Sequence, residues 1–258
     1  MNGFEGHPSI MRAPLFIGMA LTPDIPRSSL ALRRIALFEG LPDQRLDLLA
    51  QQCLWHSVEA GKPLLLRAEQ QQGEVFLLVS GRVRVTTYAA NGRQVTFRDS
   101  EAGEHFGDIA AIDGGPRSAD VVTLLPSVLA SLDRAAFLSL LREEPLVAER
   151  VMQRLASLVR QLSERVIDLS TLGVQNRLHA ELLRLARAAG VAHNQARLEP
   201  APRHAALASQ ISTNREQVTR ELNVLARSGV LQKDGKALRV ADVARLEAMV
   251  SQVRGDAG

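Results

Sequence analysis

Between residues 106 and 119 the chain reads Phe106-Gly107-Asp108-Ile109-Ala110-Ala111-Ile112-Asp113-Gly114-Gly115-Pro116-Arg117-Ser118-Ala119. Two glycine-containing segments bracket a short apolar turn, and the stretch ends in an Arg followed at once by a hydroxyl and a small residue. These residue types suit an anionic ligand. A turn that glycine permits brings backbone N–H groups close to phosphate oxygens, and a guanidinium neutralises the charge through paired hydrogen bonds. One charge-assisted bond of this kind is worth about 1.5–3 kcal/mol. Asp108 stands beside the turn as an acceptor for a ribose hydroxyl, and Gly107, Ile109, Ala110, Arg117 and Ser118 complete the candidate set. The plainer role for Arg117 is a surface ion pair with Asp108, Asp113 or Asp120, which would not require this glycine pattern.

A second constellation lies nearer the C-terminus. Residues 203–211 and 213–225 form two short helical patterns whose apolar members Leu207, Ile211, Val218, Leu222 and Leu225 have the spacing of a helix-turn-helix core. Ser212 occupies the turn, where Gly is commoner. Arg215, Glu216, Thr219 and Arg220 fall at the start and along one side of the second helix, away from its apolar stripe. In the major groove an Arg bonds guanine O6 and N7 together, and a Glu accepts from cytosine N4. Glu216 also fits a capping box, Thr213-x-x-Glu216, and an i,i+4 ion pair with Arg220. Beyond it, Asp234-Gly235 is a type I′ hairpin signal that places Lys233 and Lys236 where a wing touches phosphate. Charge agrees with this placement: residues 174–258 hold 13 Lys and Arg against 8 Asp and Glu, whereas residues 1–173 hold 18 against 20.

The elements that must position these groups follow from periodicity. Residues 1–29 carry Pro8, Pro14, Pro23 and Pro26 without a sustained period and read as an extension. Two short helices are predicted between Ser29 and Gln52. Across residues 54–135, alternating runs such as Arg82-Val83-Arg84-Val85-Thr86 are punctuated by Gly73, Ser80-Gly81, Asn91-Gly92 and Ala102-Gly103, the signature of an antiparallel sandwich or barrel. Pro145 opens the longest helical pattern, with Val151, Leu155, Leu158, Leu162, Val166, Leu169 and Leu172 forming an apolar seam suited to two-stranded pairing. Gly173 ends the seam as a hinge, and a helix over 175–189, two shorter helices and a final hairpin follow.

The Gly-Asp-(eight residues)-Arg-Ser-Ala pattern, inside a predicted β-roll and ahead of a long helix, resembles the phosphate-binding cassette of cyclic-nucleotide-binding domains. Over residues 30–250 the chain is similar to the CRP/FNR family of bacterial transcription regulators. That resemblance implies an α+β fold: a cyclic-nucleotide-binding β-roll (jelly roll) over 30–144, a dimerisation helix and hinge over 145–173, and a winged helix-turn-helix over 174–258. It implies that Asp108 holds the ribose 2′-hydroxyl, that Arg117 and Ser118 hold the cyclic phosphate, and that Arg215, Glu216 and Arg220 read bases while Lys236 touches phosphate. The dimer interface would comprise Val151, Leu155, Leu158, Leu162, Val166 and Leu169. Double-stranded DNA, a second copy of the chain and RNA polymerase are the partners implied, with cyclic AMP or cyclic GMP as effector and no metal.

Two positions depart from the family pattern. Most nucleotide-binding members carry Glu where this chain has Asp108, one methylene shorter, so the ribose is reached through a shifted loop or a bridging water. Cyclic AMP-binding relatives present a Thr-Ser pair to adenine, and alignment from Pro145 sets Leu162-Ser163 at that point, leaving Ser163 as the base reader. Ser118 offers a hydroxyl to guanine instead, so both purines stay open.

Composition narrows the alternatives. The single Cys53 excludes an intramolecular disulfide framework, cysteine-based zinc sites and a four-cysteine iron–sulfur cluster, and it fits a reducing cytoplasm. Nine aromatic residues are too few for a single-strand stacking platform. The apolar stretch Ala13 to Leu21 is far short of the roughly 20 residues of a membrane span, and Glu5 with a lone Arg12 makes a poor signal-peptide n-region. Haem sensing would need His56 or His105, read here as solvated loop residues. Catalytic motifs are missing: the sequence has no Gly-x-Ser-x-Gly, no His-Glu-x-x-His and no P-loop, so no enzyme is expected. The competing functions are a regulator that binds DNA without a cyclic nucleotide, and a nucleotide-binding module that controls a partner protein instead of DNA.

Overall fold

The computed structural model describes residues 28–67, 73–88 and 94–254. The expected extension lies almost wholly outside the described residues, and the Asn91-Gly92 turn lies wholly outside them. Helix α1 (Ser29–Leu32), a 3-10 turn (Ala36–Phe38) and α2 (Asp43–Gln52) open the chain. Pro42 precedes α2 in extended conformation, and the helix buries Leu46, Leu49 and Ala50 along one face.

Eight strands follow: β1 (Leu54–Val58), β2 (Pro63–Leu65), β3 (Val75–Ser80), β4 (Arg82–Tyr88), β5 (Gln94–Glu101), β6 (His105–Phe106), β7 (Asp120–Thr123) and β8 (Ser127–Leu132). They form two four-stranded sheets, ordered β1-β8-β3-β6 and β2-β7-β4-β5. Val75, Phe76, Leu77 and Leu78 are all buried, so β3 is covered on both faces and loses the alternation of a half-exposed strand. Its antiparallel neighbour β6 pairs Phe106 with Phe76, whose rings stack with centroids 5.4 Å apart. This pairing sets the residues after Phe106 against the residues before Val75, and the six-residue helix α3 (Asp108–Asp113) begins there. His56 and His105 are buried strand residues, not solvated loop residues, and His56 Nε2 lies 2.9 Å from Ser131 Oγ.

Helix α4 (Arg134–Glu143) leads to α5 (Pro145–Thr171), with Pro145 in the first turn, where a missing N–H costs nothing. Gly173 stands between α5 and α6 (Val174–Ala189) as the N-cap of the latter. The chain then forms β9 (Ala196–Leu198), α7 (His204–Gln210), α8 (Arg215–Arg227), β10 (Leu231–Asp234), β11 (Ala237–Val240) and α9 (Val243–Arg254). The final hairpin is thus part of a three-stranded sheet, β10-β11-β9, and a helix follows it; β9 and α9 are absent from the sequence reading. Leu207, Ile211, Val218, Leu222 and Leu225, the predicted helix-turn-helix apolar set, all lie in one core with Leu178, Leu182, Leu231, Val240 and Leu246.

The described residues divide into two compact units, one holding those up to Val83 with Ser100–Phe137, the other those of Arg84–Asp99 with the described residues from Leu138.

Candidate functional site

The predicted anion cassette is built around Arg117, which is only 3% exposed. Its Nη1 donates to two backbone carbonyls, Glu74 O and Gly107 O, each at 3.0 Å. Its burial sets Arg117 away from the surface, and two of the acids considered as its partners are engaged by backbone: Asp113 Oδ1 accepts from Gly115 N, and Asp120 Oδ1 from Arg67 N, both at 2.7 Å. Gly107 adopts φ +88°, a left-handed conformation, where an added Cβ would lie 2.7 Å from Glu74 O and 2.9 Å from Arg117 Nη1. Only glycine allows this approach. Asp108, the first residue of α3, is also buried, and its Oδ2 lies 3.5 Å from His105 Nε2. Ala110 is buried beneath the turn, Ile109 is half-buried, and Ser118 is exposed.

Electrostatics single out a residue the sequence reading missed. Glu74 is buried next to Arg117; desolvation pushes its carboxyl up, the Arg117 charge draws it down, and Asp133 pushes it up further. Desolvation in turn pulls the Arg117 guanidinium below its usual range, and the Glu74 charge acts in the opposite sense. A buried guanidinium is costly unless its donors are used and its charge is compensated. Here two fixed carbonyls take up Nη1, and the charge of the nearby acid Glu74 acts against the desolvation.

The second site is on α8. Ser212 holds φ +56°, the left-handed turn that its position required. Asn214 is the N-cap, its side chain accepting from Gln217 N at 2.8 Å, while Thr213 Oγ1 bonds Gln217 Oε1. The expected Thr213-x-x-Glu216 capping box is therefore displaced by one residue, because the left-handed turn at Ser212 sets Asn214 at the helix entrance. Glu216 is left exposed on the outer face. Arg215, Glu216, Thr219, Arg220 and Asn223 line one shallow recess of about 430 Å³. Asn223 was not anticipated, although it lies three and four residues beyond Arg220 and Thr219 on the same helical face. Thr219 Oγ1 donates to Arg215 O at 2.9 Å and lies 2.7 Å from His204 Nδ1, so α7 braces the recognition face. On the hairpin, Gly235 has φ +58°, Lys233 and Lys236 are exposed, and Lys236 O accepts from Ala201 N at 2.9 Å.

The long helix carries a third surface. Met152, Val159, Leu162, Val166 and Leu169 are all exposed, between 40% and 63%, and with half-buried Leu155 they repeat at alternating spacings of three and four. Val151 and Leu172, assigned to the seam from sequence, are instead buried, so the exposed column starts at Met152, and Leu158 is half-buried beside it. Ser163 Oγ donates to Val159 O at 2.9 Å, four residues back along the helix.

A buried arginine behind a left-handed glycine in a two-sheet domain, combined with a helix-turn-helix whose second helix presents exposed arginines, fits the class of ligand-binding transcription regulators. Comparison with known proteins agrees. The cyclic nucleotide-binding domain family matches residues 55–144, and the Crp-like helix-turn-helix domain family matches residues 176–249. The cyclic AMP receptor protein of Thermus thermophilus is 32% identical over 213 residues, covering 82% of this chain and 94% of that protein. The CRP-like cAMP-activated global transcriptional regulator of Mycobacterium tuberculosis is 26% identical over 217 residues, covering 83% and 96%. In fold, the chain is similar to the c-di-GMP responsive global regulator CLP of Xanthomonas campestris, with a TM-score of 0.66 at 18% identity over 83% of this chain and 99% of that one. The chain belongs to the CRP family: it is a transcription regulator with a cyclic nucleotide-binding domain and a helix-turn-helix DNA-binding domain, and it is not an enzyme. No described helix is long and apolar enough to cross a membrane.

Proposed function

We propose that the chain acts in the cytoplasm as a homodimer whose β-roll binds a cyclic nucleotide and whose two α8 helices read the halves of a palindromic promoter site, where RNA polymerase is the further partner. The observation that carries this reading is the buried Arg117 held behind left-handed Gly107, a preorganised cation with no purpose in an ordinary sheet turn. Gly107, Ile109 and Ala110 supply backbone, Arg117 and Ser118 take the phosphate, and Asp108 takes a ribose hydroxyl. Ser163 is the hydroxyl that the family resemblance offers to the base. The relatives from Thermus thermophilus and Mycobacterium tuberculosis are named for cyclic AMP, which makes it the first effector to test, with cyclic GMP second.

Pairing rests on the exposed column from Met152 to Leu169, whose alternating three-and-four spacing fits a parallel two-stranded seam. Base reading rests on Arg215, Glu216, Thr219 and Arg220, with Asn223 on the same face able to bond adenine N6 and N7. Lys236 contributes a phosphate contact on the wing. An effector shifts DNA affinity only if it binds one conformation better than another, and the coupling is reciprocal. The test is the affinity for a palindromic site, selected from random DNA, with and without saturating cyclic AMP or cyclic GMP. One nucleotide is expected to tighten the site, and the site to tighten that nucleotide by the same factor. Equal DNA affinity in all three conditions would mean that the regulator is not gated by either nucleotide.

A further inference from the structure

Beside Asp108, the acceptor assigned to the ribose, lies a histidine to which that role gives no part. His105 opens β6 and pairs with Leu77 of β3, and the backbone just ahead of it is pinned to the same strand: Leu78 N donates to Glu104 O and Gly103 N to Leu78 O, both at 2.8 Å. Left-handed Gly107 then ends the strand and α3 starts at once, so the chain doubles back on itself. This turn brings His105 Nε2 to 3.5 Å from Asp108 Oδ2, the distance of an ion pair, with both side chains 6% exposed. A carboxylate taken out of water is costly unless a donor or a positive charge meets it. Imidazole can supply either: a neutral ring with its proton on Nε2 donates, and a protonated ring adds its charge. Asp108 is one methylene shorter than the Glu of most nucleotide-binding members, so once χ1 is set its carboxyl turns on χ2 alone. A partner on Oδ2 therefore fixes where Oδ1 lies.

We infer that His105 is a positioning residue of the effector site: it holds the Asp108 carboxylate in one orientation for the 2′-hydroxyl, and so sets the choice of a ribose over a deoxyribose cyclic nucleotide. This rests on the reading that Asp108 takes the ribose hydroxyl. With Oδ2 turned to the imidazole, Oδ1 is the oxygen presented to the sugar. A nucleotide that carries the hydroxyl donates to it, whereas one that lacks the hydroxyl desolvates the carboxylate without a compensating bond. A hydrogen bond to a charged group is worth about tenfold to a hundredfold in affinity. His105 itself touches no ligand in this role and acts through Asp108 alone.

Calorimetry on the full-length protein tests this with cyclic AMP, cyclic GMP and the 2′-deoxy analogue of each. For the purine it accepts, the wild type is expected to bind the ribose form about tenfold to a hundredfold more tightly than the deoxy form. His105→Phe keeps a buried ring without a donor. It should bring that ratio below about threefold by weakening the ribose form, while the deoxy form binds as it does to the wild type, a split that loss of structure alone would not produce. His105→Gln retains an N–H donor and should keep most of the ratio. Asp108→Ala should remove it, and adding His105→Phe to Asp108→Ala should change nothing further, because the two residues act as one unit. A wild-type ratio in His105→Phe, or equal weakening of both sugar forms in both His105 variants, would overturn the inference while leaving Asp108 as the ribose acceptor. The underlying reading fails separately, and the role of His105 with it, if the wild type binds none of the four nucleotides, shows a ratio near one, or keeps its ratio in Asp108→Ala.

Discussion

Arg117 and the arginines of α8 are the same side chain set in opposite environments. Arg117 is 3% exposed and bonded to two fixed carbonyls, whereas Arg215 and Arg220 are exposed along a helix face. A small effector with one charge makes few contacts, so each must be strong, and a desolvated cation held rigid supplies that strength. DNA presents a row of phosphates and base edges, and exposed side chains on a rigid helix gain specificity from position while phosphate contacts carry much of the affinity. One consequence is a difference in salt response. Effector binding at a buried cation should change little with ionic strength, and DNA binding should weaken steeply as salt is added.

Breaking the buried side gives the largest effect. Gly107→Ala puts a Cβ within 2.7 Å of Glu74 O at φ +88°, so the loop must move and carry Arg117 with it. The protein should lose about 1–3 kcal/mol of stability to backbone strain and lose effector binding altogether. Arg117→Ala should abolish effector binding and any effector dependence of DNA affinity while leaving a dimer. Thermal unfolding, calorimetry and sedimentation check these outcomes; nucleotide affinity within twofold of wild type in either variant would show that the cradle is not the site.

The exposed apolar column sharpens the contrast, because in the proposed homodimer its desolvation comes from a second copy of the chain. Val159→Glu with Leu162→Glu sets charges on two exposed apolar positions, 63% and 40% accessible. Neither change disturbs a core, so the monomer should stay folded, but pairing would bury unpaired charge. Sedimentation should give monomers, with DNA affinity reduced to that of one half-site. A variant that still sediments as the wild type does would remove the column from the interface.

On the exposed side the effects are moderate and separable. Arg215→Ala should cost about 1–3 kcal/mol on a selected site and relax preference at one base pair per half-site. Lys236→Ala should weaken all sequences alike and lower the salt slope by about one. Equal losses on selected and random DNA for Arg215→Ala would move that residue from base reading to phosphate contact.

A buried His in the β-roll extends the comparison to pH. Burial pulls His56 from 6.5 down to about 4. Its folded value lies below its unfolded value, so protonation favours the unfolded chain: the stability it contributes is complete above about pH 6.5 and is lost as pH falls toward 4. Unfolding at pH 7 and pH 5 should differ by about 1–2 kcal/mol from this group, and His56→Gln should remove that increment. An unchanged pH difference in the variant would assign it to other groups.

What was legible in the sequence was local. The cassette could be read because its glycines, Asp108, Arg117 and Ser118 lie within a dozen residues, and the helix-turn-helix because its apolar spacing is short and regular. Glu74 could not, since its link to Arg117 spans 43 residues and depends on the β3–β6 pairing. Leu155, Leu162, Val166 and Leu169 of the predicted seam lie on the exposed column, whereas Val151 is buried and Leu158 half-buried beside it, because period alone does not say which apolar residues the chain itself covers. His56 and His105 were misread as solvated because strand limits decide which way a ring points. Helix α9 was missed because Val243, Leu246 and Val250 form a short stripe straight after a hairpin.

Ser212 provides the smallest effect and tests how far the α8 site is fixed by its turn. Its φ of +56° is uncommon for a residue with a Cβ, and it sets Asn214, not Thr213, at the helix entrance. Relief of a left-handed Cβ is worth about 1–2 kcal/mol, and the added freedom of glycine in the unfolded chain offsets part of it. Ser212→Gly should therefore stabilise the protein by about 0.5–1 kcal/mol in denaturant unfolding, with DNA specificity unchanged because Arg215 to Asn223 stay on the same face. Asn214→Ala is the opposing control: it keeps the turn but removes the acceptor for Gln217 N and should cost about 1 kcal/mol. If Ser212→Gly instead lowered stability, the left-handed turn would not be where the strain lies, and the one-residue shift of the cap would need another cause.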